Sequence, residues 1–269
     1  MTYKKKLEKI IRNARSNLIT GLDTDIQKIP VCFLKYKNPI LAFNKKIIDA
    51  TAGNCAGYKI NLAFYEAAGV KGLEALEETV KYIPANLIKI CDAKRGDIGN
   101  TAEMYARAYF DKLEFDAITL SPYMGFDSVS PFLERKNKFV YILVRTSNKG
   151  ADDFQLLKSG RKRLFEVVAE KSLKWSKNSI GFVIGANHTK DIKKYSSQKI
   201  PLLIPGVGAQ GNDLSRLVGA VGGNLYLINA SRSIIYAGDK KDGEKVFLKK
   251  VSESCGKLNA EITAIKKLQ

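Results

Sequence analysis

LIKICDAKRGD, residues 87–97, opens as an apolar run and ends in charge. Residues 87–94 read as a buried strand. Asp92 and Lys94 stand in phase with Ile88 and Ile90, so all four side chains point to one face. A carboxylate and an ammonium on an apolar face are costly unless they are paired or in use. If the strand belongs to a (β/α)8 barrel, that face is the interior. The charges then mark the C-terminal mouth, where such barrels carry their sites.

Seven further runs share this form. They are NLITGLDTD (17–25), GYKINL (57–62), DAITLSPY (116–123), FVYILVRTSN (139–148), IGFVIGANH (180–188), PLLIPGVG (201–208) and LYLINASR (225–232). Each begins apolar and ends in polar, Gly or Pro residues, the mark of buried parallel strands. Helical patterns lie between them. Residues 100–113 place Met104, Ala108 and Leu113 near one face, and residues 161–175 space Leu164, Val167, Val168 and Leu173 at helical intervals. Residues 240–269 read as the last helix. Alternating units on a 269-residue chain predict α/β structure, a single (β/α)8 TIM barrel spanning 1–269. A doubly wound open sheet is the alternative.

Composition narrows the function. Lys and Arg number 45 against 27 acidic residues, for a net charge of +18. Only ten of the basic residues are arginine, and the lysines are spread along the chain. The charge therefore reads as a solvated surface that helps capture small anions, rather than a nucleic-acid interface. No apolar run reaches the roughly 18 residues of a membrane span. The start, MTYKKKLEKI, has no apolar core of a secretory signal, so a cytoplasmic enzyme is expected. Four cysteines without a CxxC pair, and one histidine, argue against a zinc site. A histidine-based nucleophilic system would have to use His188, which ends the sixth run and reads as a rim or capping residue.

The strand ends collect the polar residues. They are Asp23 and Asp25, Lys59 and Asn61, Asp92, Lys94 and Asp97, Arg145, Thr146, Ser147 and Asn148, Pro205, Gly206 and Gln210, then Asn229, Ser231 and Arg232. Lys59, Asp92, Lys94 and Asp97 alternate in sign in a small volume, which is an electrostatic device rather than a packing solution. PGVGAQG (205–211) lets backbone N–H groups approach an anion, and Arg232 can hold a phosphate with its fork. Both fall where barrels commonly bind phosphate. Arg95 and Arg145 read as structural residues or as outer partners of the acidic array, and neither is expected in catalysis. The stretches 150–160 and 206–211 are candidate lids.

The chain resembles the orotidine 5′-phosphate decarboxylases of the longer, type 2 class. The resemblance rests on GLDTD (21–25), GYKINLAFYEAAG (57–69), DAKRGDIGNTA (92–102), LSPYMGFDSVSPFL (120–133), LVRTSNKGADDFQ (143–155), PGVGAQG (205–211) and NASRSII (229–235), in the family's order. It implies a cofactor-free decarboxylation of orotidine 5′-phosphate to UMP, with neither metal nor organic cofactor. Asp23 would bind the ribose hydroxyls, and Lys59 would bridge the ribose and Asp92. Asp92, Lys94 and Asp97 would form the charged array at the scissile carboxylate, with Lys94 protonating C6. Asp97, Ile98 and Thr101 would reach the partner's site in a homodimer. Thr146 and Ser147 would meet the pyrimidine edge, and Gln210 and Arg232 the phosphate. Asn61, Pro205 and Gly206 complete the substrate-binding set.

Two positions depart from the family. Lys149 and Asn212 stand where relatives often carry Pro and Gly, which touches loop stiffness and leaves the chemistry intact. DxKxxD alone is shared with metal-dependent sugar-phosphate decarboxylases and aldolases of the same barrel group. Lys59 argues against those, since it takes the space of a carboxylate ligand for Mg2+.

Overall fold

All eight apolar runs form parallel strands. They are β1 (Leu18–Gly21), β2 (Gly57–Asn61), β3 (Ile88–Arg95), β4 (Ala117–Leu120), β5 (Phe139–Arg145), β6 (Ile180–Ile184), β7 (Leu202–Pro205) and β8 (Tyr226–Ala230). The computed structural model describes residues 1–207 and 214–268. The strands follow one another round a closed ring, and β1 pairs with β8 as well as with β2. That closure rules out the open sheet. Most strands are shorter than their runs because the terminal polar residues have left the ladder for the rim.

Alternation along the strands divides the apolar residues into two cores. Ile19, Ile88, Ile90, Ala117, Phe139, Tyr141, Val183, Leu203 and Leu227 fill the barrel interior. The helix Tyr3–Ala14 plugs its N-terminal end with Tyr3, Leu7 and Ile10. The Tyr3 ring stacks on Phe139 at 4.4 Å, and its hydroxyl lies 3.2 Å from that of Tyr141. The outward residues, such as Tyr58, Ile60, Ile118, Ile142 and Phe182, pack against the outer helices in the second, larger core. An apolar floor leaves the opposite mouth as the polar end.

Three helical expectations shift. Residues 100–113 form the helix Gly99–Ala106 and then a wider π-turn over Arg107–Lys112. The helix buries Ala102 and Ala106 and the turn Tyr109 and Phe110, while Met104 is exposed. The helix expected over 161–175 spans Leu164–Trp175 and buries Phe165, Ala169 and Ser172. Its first expected turn is instead a small hairpin, Lys158–Ser159 against Lys162–Arg163, around Gly160 at a φ of 62°. The last helix starts at Glu244, because the Asp242 carboxylate accepts the Asp239 N–H at 2.8 Å and holds a turn before it.

Candidate active site

Lys59 and Asp92 enter the interior from neighbouring strands, one step above the apolar filling. Lys59 Nζ donates to Asp92 Oδ2 at 2.7 Å, and Lys94 Nζ donates to Asp92 Oδ1 at 2.6 Å. Asp23, in the loop after β1, lies 3.7 Å from Lys59 Nζ, an ion-pair distance longer than a hydrogen bond. Lys59 is almost wholly buried, whereas the Lys94 side chain is 48 % exposed at the mouth.

Burial alone would raise the Asp92 carboxyl, but the two ammonium groups outweigh it and hold it well below the usual carboxylate range. Burial likewise pulls Lys59 down, and Asp92 with Asp23 carries it above its ordinary value. Each charge is stable only because the other is present.

Simple alternation does not account for Lys94. The pairing of β3 with β4 shifts between Cys91 and Arg95, and Lys94 sits in that irregularity with a φ of 50°. A left-handed conformation at a non-glycine residue is strained and is held by its surroundings. Thr119 of β4 supplies part of that hold, accepting the Lys94 N–H at 3.1 Å and donating to Asp92 Oδ1 at 2.9 Å. Sequence reasoning passed over Thr119 because a threonine in an apolar run looks like an ordinary strand former.

The loop after β5 is braced from two sides. Gln155 accepts the Thr146 N–H at 2.9 Å and donates to Thr146 Oγ1 at 2.7 Å. His188 Nε2 lies 2.9 Å from the Thr146 carbonyl oxygen, so the histidine is a rim residue that fixes a neighbour. Ser147 packs where Gly185 leaves room, since a Cβ there would lie 2.8 Å from Ser147 Cβ. Gln155 was not anticipated; its pairing across a turn leaves no periodic signal.

Other expected residues fall at the same rim. The Asn61 side chain accepts the Ala63 N–H at 3.2 Å, capping the short helix Leu62–Glu66. Pro205 ends β7, and Gly206 follows with a φ of 97°. Arg232 is exposed at the start of the helix Arg232–Ile235. Ser231 before it donates to the Gly21 carbonyl at 3.1 Å, an approach that leaves no space for a side chain at position 21. Gln210, Asn212 and most of the 206–211 stretch lie outside the described residues.

Within one chain, Asp97 does not join the cluster. Its carboxylate accepts the Ile98 N–H at 2.8 Å, and Ile98 and Thr101 are exposed. Among the described residues, no group of three His, Cys, Asp or Glu side chains is placed to hold a metal.

A family model described as Orotidine 5′-phosphate decarboxylase / HUMPS family matches residues 16–246. The chain belongs to that family. An orotidine 5′-phosphate decarboxylase of Dehalococcoides mccartyi is 51 % identical over 247 residues, covering 88 % of this chain and 90 % of its own. One from Phocaeicola vulgatus is 47 % identical over 273 residues, covering 97 % and 98 %. The solved OMP decarboxylase of Leishmania donovani superposes with a TM-score of 0.84 at 34 % identity, covering 99 % of this chain and 100 % of that one.

Within this decarboxylase-family barrel, the two arginines are structural, as one of the two expected roles had it, and do not back the acidic array. Arg95 pairs with Glu66 and lies over the rings of Tyr105 and Tyr109 at 5.4 and 5.9 Å. Arg145 pairs with Asp152 at 3.0 Å and lies over Phe165. Neither touches the Asp92 array, because both side chains leave their strands toward the outer helices and loops.

Proposed function

We propose that this chain is a carboxy-lyase that converts orotidine 5′-phosphate to UMP and CO2, acting in the cytoplasm in pyrimidine biosynthesis. The observation that carries the reading is the run Asp23–Lys59–Asp92–Lys94 at the barrel mouth, with both oxygens of Asp92 taken by ammonium groups. Belonging to the decarboxylase family supports it.

The chemistry follows from where charge must go. When the bond from C6 to the carboxylate breaks, its electron pair stays on C6 and no adjacent carbonyl accepts it. The uncatalysed barrier is accordingly high, and the enzyme must supply toward the upper end of roughly 8–23 kcal/mol. A fixed ammonium beside C6 meets that charge as it develops. Lys94 takes this role: it stabilises the carbanion and then gives C6 a proton, while CO2 departs. Its exposure at the mouth lets solvent restore the proton. Asp92 holds Lys94 in place and lies against the leaving carboxylate. Lys59 fixes Asp92 and, with Asp23 and Asn61, meets the ribose.

Thr146 and Ser147 take the pyrimidine edge, and Pro205, Gly206, Gln210 and Arg232 the phosphate. Phosphate binding far from C6 supplies energy for ordering the reacting end. Asp97, Ile98 and Thr101 complete the site of a second copy in a homodimer. Their outward placement supports this, as does the exposed apolar surface of Ile98. No metal or organic cofactor enters this scheme.

The test is the loss of orotidine 5′-phosphate absorbance on adding purified protein without cofactor, with UMP identified as product. No change in absorbance at micromolar enzyme overturns the reading.

A further inference from the structure

We propose that Thr119 is a positioning residue that locks the Asp92–Lys94 pair in its reactive geometry, an inference that rests on the catalytic reading of Lys94. Thr119 lies on β4 in phase with Ala117, which belongs to the interior core, and is 1 % exposed. Its hydroxyl does two things at once. It donates to Asp92 Oδ1 at 2.9 Å and accepts the Lys94 N–H at 3.1 Å. Between Cys91 and Arg95 the ladder with β4 is interrupted, so the Lys94 N–H is matched by a side chain where a regular strand would offer a carbonyl. The left-handed backbone at Lys94 thus depends on a group of the next strand.

An apolar side chain of the same shape fills the space and can neither donate nor accept. Thr119→Val therefore keeps the packing and frees the Lys94 backbone and one face of Asp92. Thr119→Ser keeps both bonds. Thr119 is not among the residues assigned to the ribose or the phosphate, so the loss is expected to fall on the chemical step.

The experiment compares wild type, Thr119→Val, Thr119→Ser, Thr119→Ala and Lys94→Ala, each verified as folded by circular dichroism. It measures kcat and KM for orotidine 5′-phosphate and the affinity for UMP. The expected result for Thr119→Val is a kcat lower by about tenfold or more. KM and UMP affinity should stay within about threefold, and Thr119→Ser should recover most of the loss. If Thr119→Val does not fold, the contrast between Ala and Ser at this position decides the same question. A wild-type kcat in Thr119→Val, or a serine variant as impaired as the valine or alanine variant, overturns the inference. Turnover by Lys94→Ala overturns the catalytic reading beneath it instead.

Discussion

Lys59 and Asp92 form an ion pair of 2.7 Å that is nearly shut off from solvent, at the point where the apolar filling of the barrel ends. The pair makes stability depend on pH at both extremes. Asp92 titrates lower in the folded chain than its unfolded value of about 3.9, so its contribution is present above that value and lost as pH falls. Lys59 titrates higher than its unfolded value of about 10.4, so its contribution is present below that value and lost as pH rises past it. The urea midpoint is expected to hold between about pH 5 and 9 and to fall toward pH 2. Asp92→Asn is expected to be less stable at neutrality and to show a shallower acid decline. Parallel declines in the two proteins would contradict the assignment.

The separation of Asp97 from Lys94 within one chain predicts complementation between chains. Lys94→Ala and Asp97→Ala are each expected to lose at least about a thousandfold in turnover while remaining folded. On the proposed homodimer, mixing the two and allowing subunit exchange is expected to give hybrid dimers with one intact site. Activity should return to about a quarter of wild type. A mixture no more active than its components would place Asp97 outside the partner's site.

Excess chelator offers a simpler check. Both Asp92 oxygens already accept from lysine ammonium groups, which leaves no carboxylate face for a divalent cation. Turnover is expected to be unchanged after dialysis against EDTA. A requirement for added Mg2+ would move the chain to the metal-dependent branch of the barrel group.

The floor of the barrel can be probed without touching the mouth. Tyr3 is buried against Phe139 and Tyr141. Tyr3→Ala is expected to cost about 3–5 kcal/mol in denaturant unfolding, with KM unchanged in the folded fraction. A cost under about 1 kcal/mol would mean that the helix does not seal the barrel.

The strands and the lysine–aspartate array were legible because both follow a two-residue period, which survives in a bare sequence. Lys94 was read on the right face for an incomplete reason. Alternation suggested the face, but the bulge and Thr119 are what hold Lys94 against Asp92, and a bulge leaves no pattern. The N-terminal helix was not anticipated. Its Lys4, Lys5, Lys6 and Lys9 drew attention to charge, while Tyr3, Leu7 and Ile10 at helical spacing were the informative residues. Gln155 acts through a turn, where spacing carries no information. For Arg95 and Arg145 a structural role and a place behind the acidic array were both open; their pairing with Glu66 and Asp152 settles on the first, since strand alternation does not tell where a long side chain ends.

The plug has a consequence for how the chain reaches its native state. Tyr3 meets Tyr141 across 138 residues, and Lys6 meets Asp116 across 110. β1, in turn, pairs with β8 near the far end of the chain. The helix Tyr3–Ala14 therefore has no place to dock until most of the ring exists. Contacts this distant in sequence give little return until the entropy of closing very large loops has been overcome, and chains built on them fold slowly.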